Sequence, residues 1–119
     1  MGKGRERGLV GYIPEKGDVI HLNFDPSLGH EQKGRRYAVV VSHYLFNKKT
    51  GMCYAVPISS KCKGYPTQRP VNVSGVKGCA LIDQLKSIDY RARKVEFRAK
   101  LPEEQLEQIL EVIEAIIFS

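Results

Sequence analysis

The segment Gly29–Ser42, GHEQKGRRYAVVVS, sets His30, Glu31, Gln32, Lys33, Arg35 and Arg36 close together and then runs directly into a β-branched block. Each side chain brings a different capability. A histidine exchanges protons near neutrality, and a carboxylate can take one up. A guanidinium donates paired hydrogen bonds to a carboxylate or a phosphate in a fixed planar fork. The combination suits proton transfer beside a bound anion. A plainer role is also open, in which Arg36 only anchors Glu31 or Asp83 across the fold and His30 faces solvent.

Two further polar stretches interrupt apolar runs. In PISSKCKGYP, Ser59 and Ser60 end a β-like run, and Lys61, Lys63 and Tyr65 follow. Such lysines can neutralise phosphates while a tyrosine stacks on an unpaired base; the same residues also suit a surface loop. In IDQLKSID, Asp83, Gln84 and Lys86 follow an apolar block. Burying an unpaired carboxylate costs several kcal/mol or shifts its protonation. Asp83 is therefore expected either to meet an Arg or Lys or to end a strand at the edge of a groove, with Gln84 free to satisfy backbone groups.

The charge distribution narrows the partners. All 19 Lys and Arg but only eight of the 13 acids fall in residues 1–100, which therefore carry a net +11. The last 19 residues hold Glu103, Glu104, Glu107, Glu111 and Glu114 and no basic residue. A basic body with an acidic tail favours a polyanionic partner for the body. No run is apolar enough for a membrane helix, and no apolar signal region follows the basic MGKGRERG, so a cytoplasmic location is expected. Cys53, Cys62 and Cys79 form neither a CxxC pair nor a His/Cys metal pattern, which suggests reduced structural thiols.

At 119 residues the chain supports one core. Residues 1–11 read as a loose basic arm and 12–119 as the domain. DVIHLNF alternates, with Val19, His21 and Asn23 on one face and Ile20, Leu22 and Phe24 on the other. YAVVVS, MCYAVPIS, VNV, CALIDQL and RKVEF read as further strands, with NKKTG as the turn before MCYAVPIS and KCKGYPTQRP as a loop. The close, LPEEQLEQILEVIEAIIFS, reads as a helix with Pro102 in its first turn, acids at its positive end and a core-facing stripe at Leu106, Ile109, Leu110, Ile113, Ile116 and Ile117. Short strands followed by one terminal helix predict a mainly β fold, a small β-barrel or curled sheet with that helix packed on it.

KGDVIHLNFDPSLGHEQKGRRYAVVVS, VPISSKCKGYP and ALIDQLKSID followed by RAR, in this order, resemble the MazF/PemK (Kid) family of toxin endoribonucleases. The resemblance runs from about Tyr12 to the end, and the NKKTGMC turn belongs to it. It implies an SH3-like (CcdB/MazF-like) β-barrel with a C-terminal amphipathic α-helix, acting as a homodimer. It implies metal-independent, cofactor-free cleavage of single-stranded mRNA, and inhibition by a MazE-like antitoxin through an acidic disordered segment. By similarity, Arg36 matches the catalytic loop arginine and Ser59 stands where relatives carry a threonine. His30 and Asp83 match residues proposed in the Kid branch, whose arginine is replaced here by Leu81; Glu31 belongs to the same loop motif. Gln32, Lys33, Arg35, Lys61, Lys63, Tyr65, Gln84 and Lys86 are the expected RNA contacts. Tyr37 departs from the family, which has proline after this arginine. Two other readings predict different behaviour. A CcdB-like gyrase poison would act through its C-terminal residues, and EAIIFS lacks the Trp-Gly-Ile-type tail. A non-catalytic RNA-binding barrel would bind without turnover.

Overall fold

The computed structural model describes residues 11–23 and 35–118, with the Arg35 side chain left out. His30, Glu31, Gln32 and Lys33, and nearly all of the predicted basic arm, lie outside the described residues. Seven strands are present: β1 (Asp18–Asn23), β2 (Arg35–Val40), β3 (Met52–Ser59), β4 (Gln68–Val73), β5 (Val76–Leu81), β6 (Lys86–Asp89) and β7 (Glu96–Lys100). Two helices join them, α1 (Tyr44–Thr50) and α2 (Glu103–Phe118), with a single 3-10 turn at Ile82–Gln84. Every strand pair is antiparallel, in the order β4-β5-β3-β2-β1-β7, with β6 also on β3. The fold is mainly β, a curled antiparallel half-barrel closed on one side by the terminal helix.

Period-two alternation sorts the apolar residues onto two faces. Val19, Val39, Val56, Ile58 and Ala80 face α2 and pack with its Ile109 and Val112. Ile20, Leu22, Ala38, Val40, Cys53 and Ala55 face the other way, beneath Tyr12, Tyr90 and Val95. A bulge in the β1–β7 pairing between Val19 and Ile20 bends the sheet at this edge. The buried Asp18 is compensated as a buried carboxylate must be: it accepts from Tyr12 Oη at 2.8 Å and from the Glu15 amide at 3.0 Å, and Lys100 Nζ lies 3.2 Å away.

β3 matches MCYAVPIS to the residue. Elsewhere the structure corrects several expectations. The NKKTG stretch is not a turn but the second half of α1, whose stability comes from tertiary contacts that a local pattern does not display. His43 Nδ1 accepts from the Leu45 amide, and Gly51 ends the helix at φ 73°. Asn47, fully buried, donates to the Pro14 carbonyl at 2.8 Å and accepts from Ser42 Oγ at 2.6 Å. Tyr90 Oη adds a bond to the Asn47 carbonyl at 2.7 Å.

CALIDQL is strand only to Leu81, because the 3-10 turn carries the chain from β5 to β6, a strand the sequence reading missed. β4 extends VNV back to Gln68, and the last strand starts later than RKVEF suggested, at Glu96. In α2 the amides of Gln105 and Leu106 both reach the Pro102 carbonyl, so the helix starts without a polar cap. The core-facing stripe is also shorter than expected. Ile109 and Val112 are buried, but Ile116 and Ile117 are 54% and 55% exposed, since the end of α2 has no cover among the described residues. No helix among the described residues is long and apolar enough to cross a membrane.

Candidate active site

β3 is the rail on which the predicted site residues assemble. Its first half pairs with β6 from Met52 to Ala55, and its last residues, Ile58 and Ser59, pair with β5. The 3-10 turn with Asp83 and Gln84 fills the interval between them. On the opposite edge β3 pairs with β2 through Tyr37 and Ile58. The pairing of β2 with β3 ends at that pair, Arg36 and Ser59 are the next residues of the two strands beyond it, and Ser59 is itself paired with Cys79. Arg36, Ser59 and Cys79 thus form one row across three strands, with side chains on the face of Leu22 and Ala38, away from α2.

Arg36 is exposed at the start of β2, a few residues after the other charged candidates in the chain. Ser59 is half-buried, and its Oγ accepts the Lys61 amide at 3.0 Å. The same hydroxyl donates a long bond to the Lys61 carbonyl at 3.5 Å, and the two contacts turn the chain out of β3. The close approach of β5 sets the position of Ser59. A Cβ on Gly78 would collide with the Ser59 carbonyl, so only glycine fits there.

The loop that follows is exposed from Ser60 to Pro66, with Tyr65 53% exposed. Its backbone is tied down at Lys63, whose amide donates to Gln68 Oε1 at 2.9 Å, and at Tyr65, whose carbonyl accepts the Gln68 amide at 3.0 Å. Between Lys61 and Lys63 the structure corrects the expectation of reduced thiols. Cys62 is joined to Cys79 by a disulfide, with Cα atoms 5.7 Å apart. The two cysteines are 17 residues apart in sequence, and only the fold-back of the loop over β5 brings them together. Cys53 is the free thiol among the described residues; burial, and then the Asp18 carboxylate, push it up to about 12.

Asp83 and Gln84 are less alike than the sequence suggested. Asp83 is exposed at the end of β5, on the helix side of the sheet, where it rims an apolar cavity of about 220 Å³ lined by Ile82, Leu85, Ile113, Ile116 and Ile117. It is therefore separated from the row of Arg36 and Ser59. Gln84 is half-buried, and its Oε1 is buried with no hydrogen-bond partner among the described residues. Lys86 is half-buried opposite Ala55 and so on the same face of the sheet as Ser59.

Sequence reasoning missed two groups at this end of the sheet. Arg93 donates from Nη1 to the Asn23 carbonyl at 3.2 Å, which places a guanidinium at the end of β1. His21 and Tyr37 stack with centroids 4.7 Å apart, Arg98 lies 5.7 Å over the Tyr37 ring, and with Glu96 and Phe97 they line a polar cavity of about 260 Å³. The cross-strand pairing of His21 with Tyr37 was the only signal, and it requires the β1–β2 register to be known.

Residues 15–117 match the PemK-like, MazF-like toxin family of type II toxin–antitoxin systems. The chain belongs to that family. It is 42% identical over 106 residues to the endoribonuclease toxin MazF of Escherichia coli K12, covering 89% of this chain and 96% of that protein. It is 30% identical over 109 residues to the E. coli endoribonuclease toxin ChpB, covering 87% and 93%. Among solved structures, MazF from Deinococcus radiodurans superposes with a TM-score of 0.83 at 37% identity, covering 91% of this chain and 99% of that one. A MazE–MazF structure from the same organism gives 0.78 at 32%, covering 90% and 97%. For a PemK/MazF-like toxin, the row of Arg36 and Ser59 beside a lysine-bearing loop lies where three distant sequence stretches converge.

Proposed function

We propose that this chain is the toxin of a type II pair and that it cleaves single-stranded mRNA by attack of the ribose 2′-OH on the adjacent phosphate. The products are a 2′,3′-cyclic phosphate and a 5′-OH end. The observation that carries this reading is a set of polar groups at neighbouring strand ends: an exposed guanidinium at the start of β2 and a hydroxyl at the end of β3, each one residue beyond the Tyr37–Ile58 pair, with Lys61 and Lys63 exposed next to the hydroxyl. RNA supplies its own nucleophile, so the protein has to stabilise the charge that builds on the phosphorane and to move two protons.

In this mechanism Arg36 donates two hydrogen bonds to the non-bridging oxygens, and Ser59 donates its hydroxyl proton to the same phosphate. A guanidinium holds its proton too firmly for efficient transfer. Proton removal from the 2′-OH and delivery to the departing 5′-oxygen therefore fall to His30, with Glu31 beside it. Gln32, Lys33, Arg35, Lys61, Lys63 and Lys86 track the backbone, while Tyr65 and Gln84 meet bases, which are accessible only in unpaired strands. Asp83, on the helix side, is assigned no proton transfer at the phosphate held by Arg36.

Two copies related by a twofold axis would double this basic track. The uncovered end of α2, with Ile116, Ile117 and the apolar cavity beneath them, is the surface we assign to that contact. A MazE-like antitoxin with an acidic segment would compete for the basic track in the cytoplasm.

The test is cleavage of a long single-stranded RNA by purified protein in excess EDTA, with product ends mapped. Discrete cuts that share a short sequence and carry cyclic phosphate are expected. RNA bound but left intact across several diverse transcripts would replace this reading with a binding module.

A further inference from the structure

We infer that Cys62 and Cys79 are positioning residues, and that their disulfide holds the lysine-bearing loop in the geometry that grips RNA, making substrate affinity dependent on the redox state. The inference rests on the RNA reading above and deepens it. Cys62 stands between Lys61 and Lys63, so the crosslink fixes the backbone of both cations. Cys79 is paired in the sheet with Ser59, which, like Arg36 on β2, lies one residue beyond the Tyr37–Ile58 pair. One covalent bond therefore ties the loop's charges to the row that holds the phosphate.

Other restraints on the loop are few. Among the described contacts they are the Ser59 Oγ bonds with the Lys61 amide and carbonyl, the Lys63 amide bond to Gln68, the Gln68 amide bond to the Tyr65 carbonyl, and Arg69 Nη1 donating to the Pro66 carbonyl at 2.9 Å. From Ser60 to Pro66 every residue is exposed, and the loop has no strand partner. Without the crosslink, Lys61 and Lys63 would have to be ordered by the RNA at the moment of binding, and that ordering weakens affinity.

The chemistry is that of thiol–disulfide exchange. A dithiol reductant supplies two electrons and two protons; the S–S bond becomes two thiols and the reductant leaves as its own disulfide. Cys62 is exposed and open to attack, whereas Cys79 is 8% exposed. Cys53, fully buried on the face beneath Tyr90, does not compete. Disulfides in reducing compartments are characteristically transient and redox-sensing, which suits a toxin whose grip on RNA follows the state of the cell.

The experiment measures affinity and turnover separately. Binding of a fluorescent single-stranded 2′-O-methyl RNA, which lacks the nucleophile, is followed by anisotropy with oxidised protein and with protein reduced by dithiothreitol. Reduction is expected to raise Kd about three- to tenfold, the cost of ordering a few long side chains. On unmodified RNA, KM should rise in parallel while kcat stays within about twofold. Cys62→Ser should bind like the reduced protein and ignore dithiothreitol.

Equal Kd in the two redox states, even with a lowered Tm on reduction, would make the crosslink purely structural and overturn the inference. So would a Cys62→Ser variant that still responds to reductant. Absence of cleavage in both states would defeat the nuclease reading alone, because the ratio of affinities still decides the role of the crosslink.

Discussion

On the helix side of β3, Val56 and Ile58 belong to one apolar cluster with Ile109 and Val112 of α2. On the other side, Ser59 ends the same strand one residue beyond its last pair with β2, Arg36 opens β2 one residue beyond that pair, and Lys61 and Lys63 are exposed next to Ser59 in the chain. The first region is held by burial, which needs no particular partner, only shape and area. The second cannot be held that way, because its side chains must stay available to a ligand. Strand register, a serine-backed turn, a glycine contact and a disulfide position it instead. The two regions should therefore fail differently: one in stability, the other in rate and affinity.

The largest stability effect is expected from Ile109→Ala. Removing a fully buried isoleucine beneath α2 should cost about 2–5 kcal/mol. Denaturant unfolding checks it, and a loss below about 1 kcal/mol would mean that α2 is not part of the cooperative core. Arg36→Ala should show the opposite profile. Removing a preorganised donor from the phosphorane should lower kcat by about 10²–10³-fold. The residue is exposed, so its melting temperature should hold. Cleavage at the parental rate would place the site elsewhere.

Ile117→Glu sharpens the comparison, because the same helix carries both a sealed and an uncovered end. Ile117 is 55% exposed, so a charge there should leave the circular dichroism spectrum unchanged. It should nevertheless weaken self-association in sedimentation velocity, since a buried unpaired carboxylate at a subunit seam is costly. Dimers of undiminished stability would move the contact off α2.

The apolar region was far more legible in the sequence than the charged one. Alternation in β1, the strand at β3 and the first turns of the α2 stripe are local patterns; β3 was read to the residue, and the stripe as far as Ile113. Where the stripe failed, at Ile116 and Ile117, the reason is that periodicity reports an apolar face but not what covers it. α1 escaped because its hold is the burial of Asn47 against Pro14 and Ser42, contacts that no window of sequence displays. Arg36 and Ser59 stood out as polar residues at the edges of apolar runs, a family resemblance suggested their roles, and only the β2–β3 register brings their two strand ends together. The Cys62–Cys79 bond was missed for the same reason: the pairing of Ser59 with Cys79 in the sheet is what brings the two sulfurs together.

Asp83 gives the smallest expected effect and tests where the boundary between the regions runs. Its place after an apolar block suggested either a buried ion pair or a groove edge, and the structure favours the second, with the carboxylate exposed at the rim of the cavity beneath α2. An exposed carboxylate gives up little on neutralisation, so Asp83→Asn should change stability by no more than about 0.5 kcal/mol. It also lies across the sheet from Arg36, so kcat should stay within about threefold of the parent by the same measure of a displaced charge. A hundredfold fall in kcat with the melting temperature intact would contradict that separation. It would mean that the carboxylate reaches the scissile phosphate in the assembled dimer, and that the helix side of the sheet belongs to the active site after all.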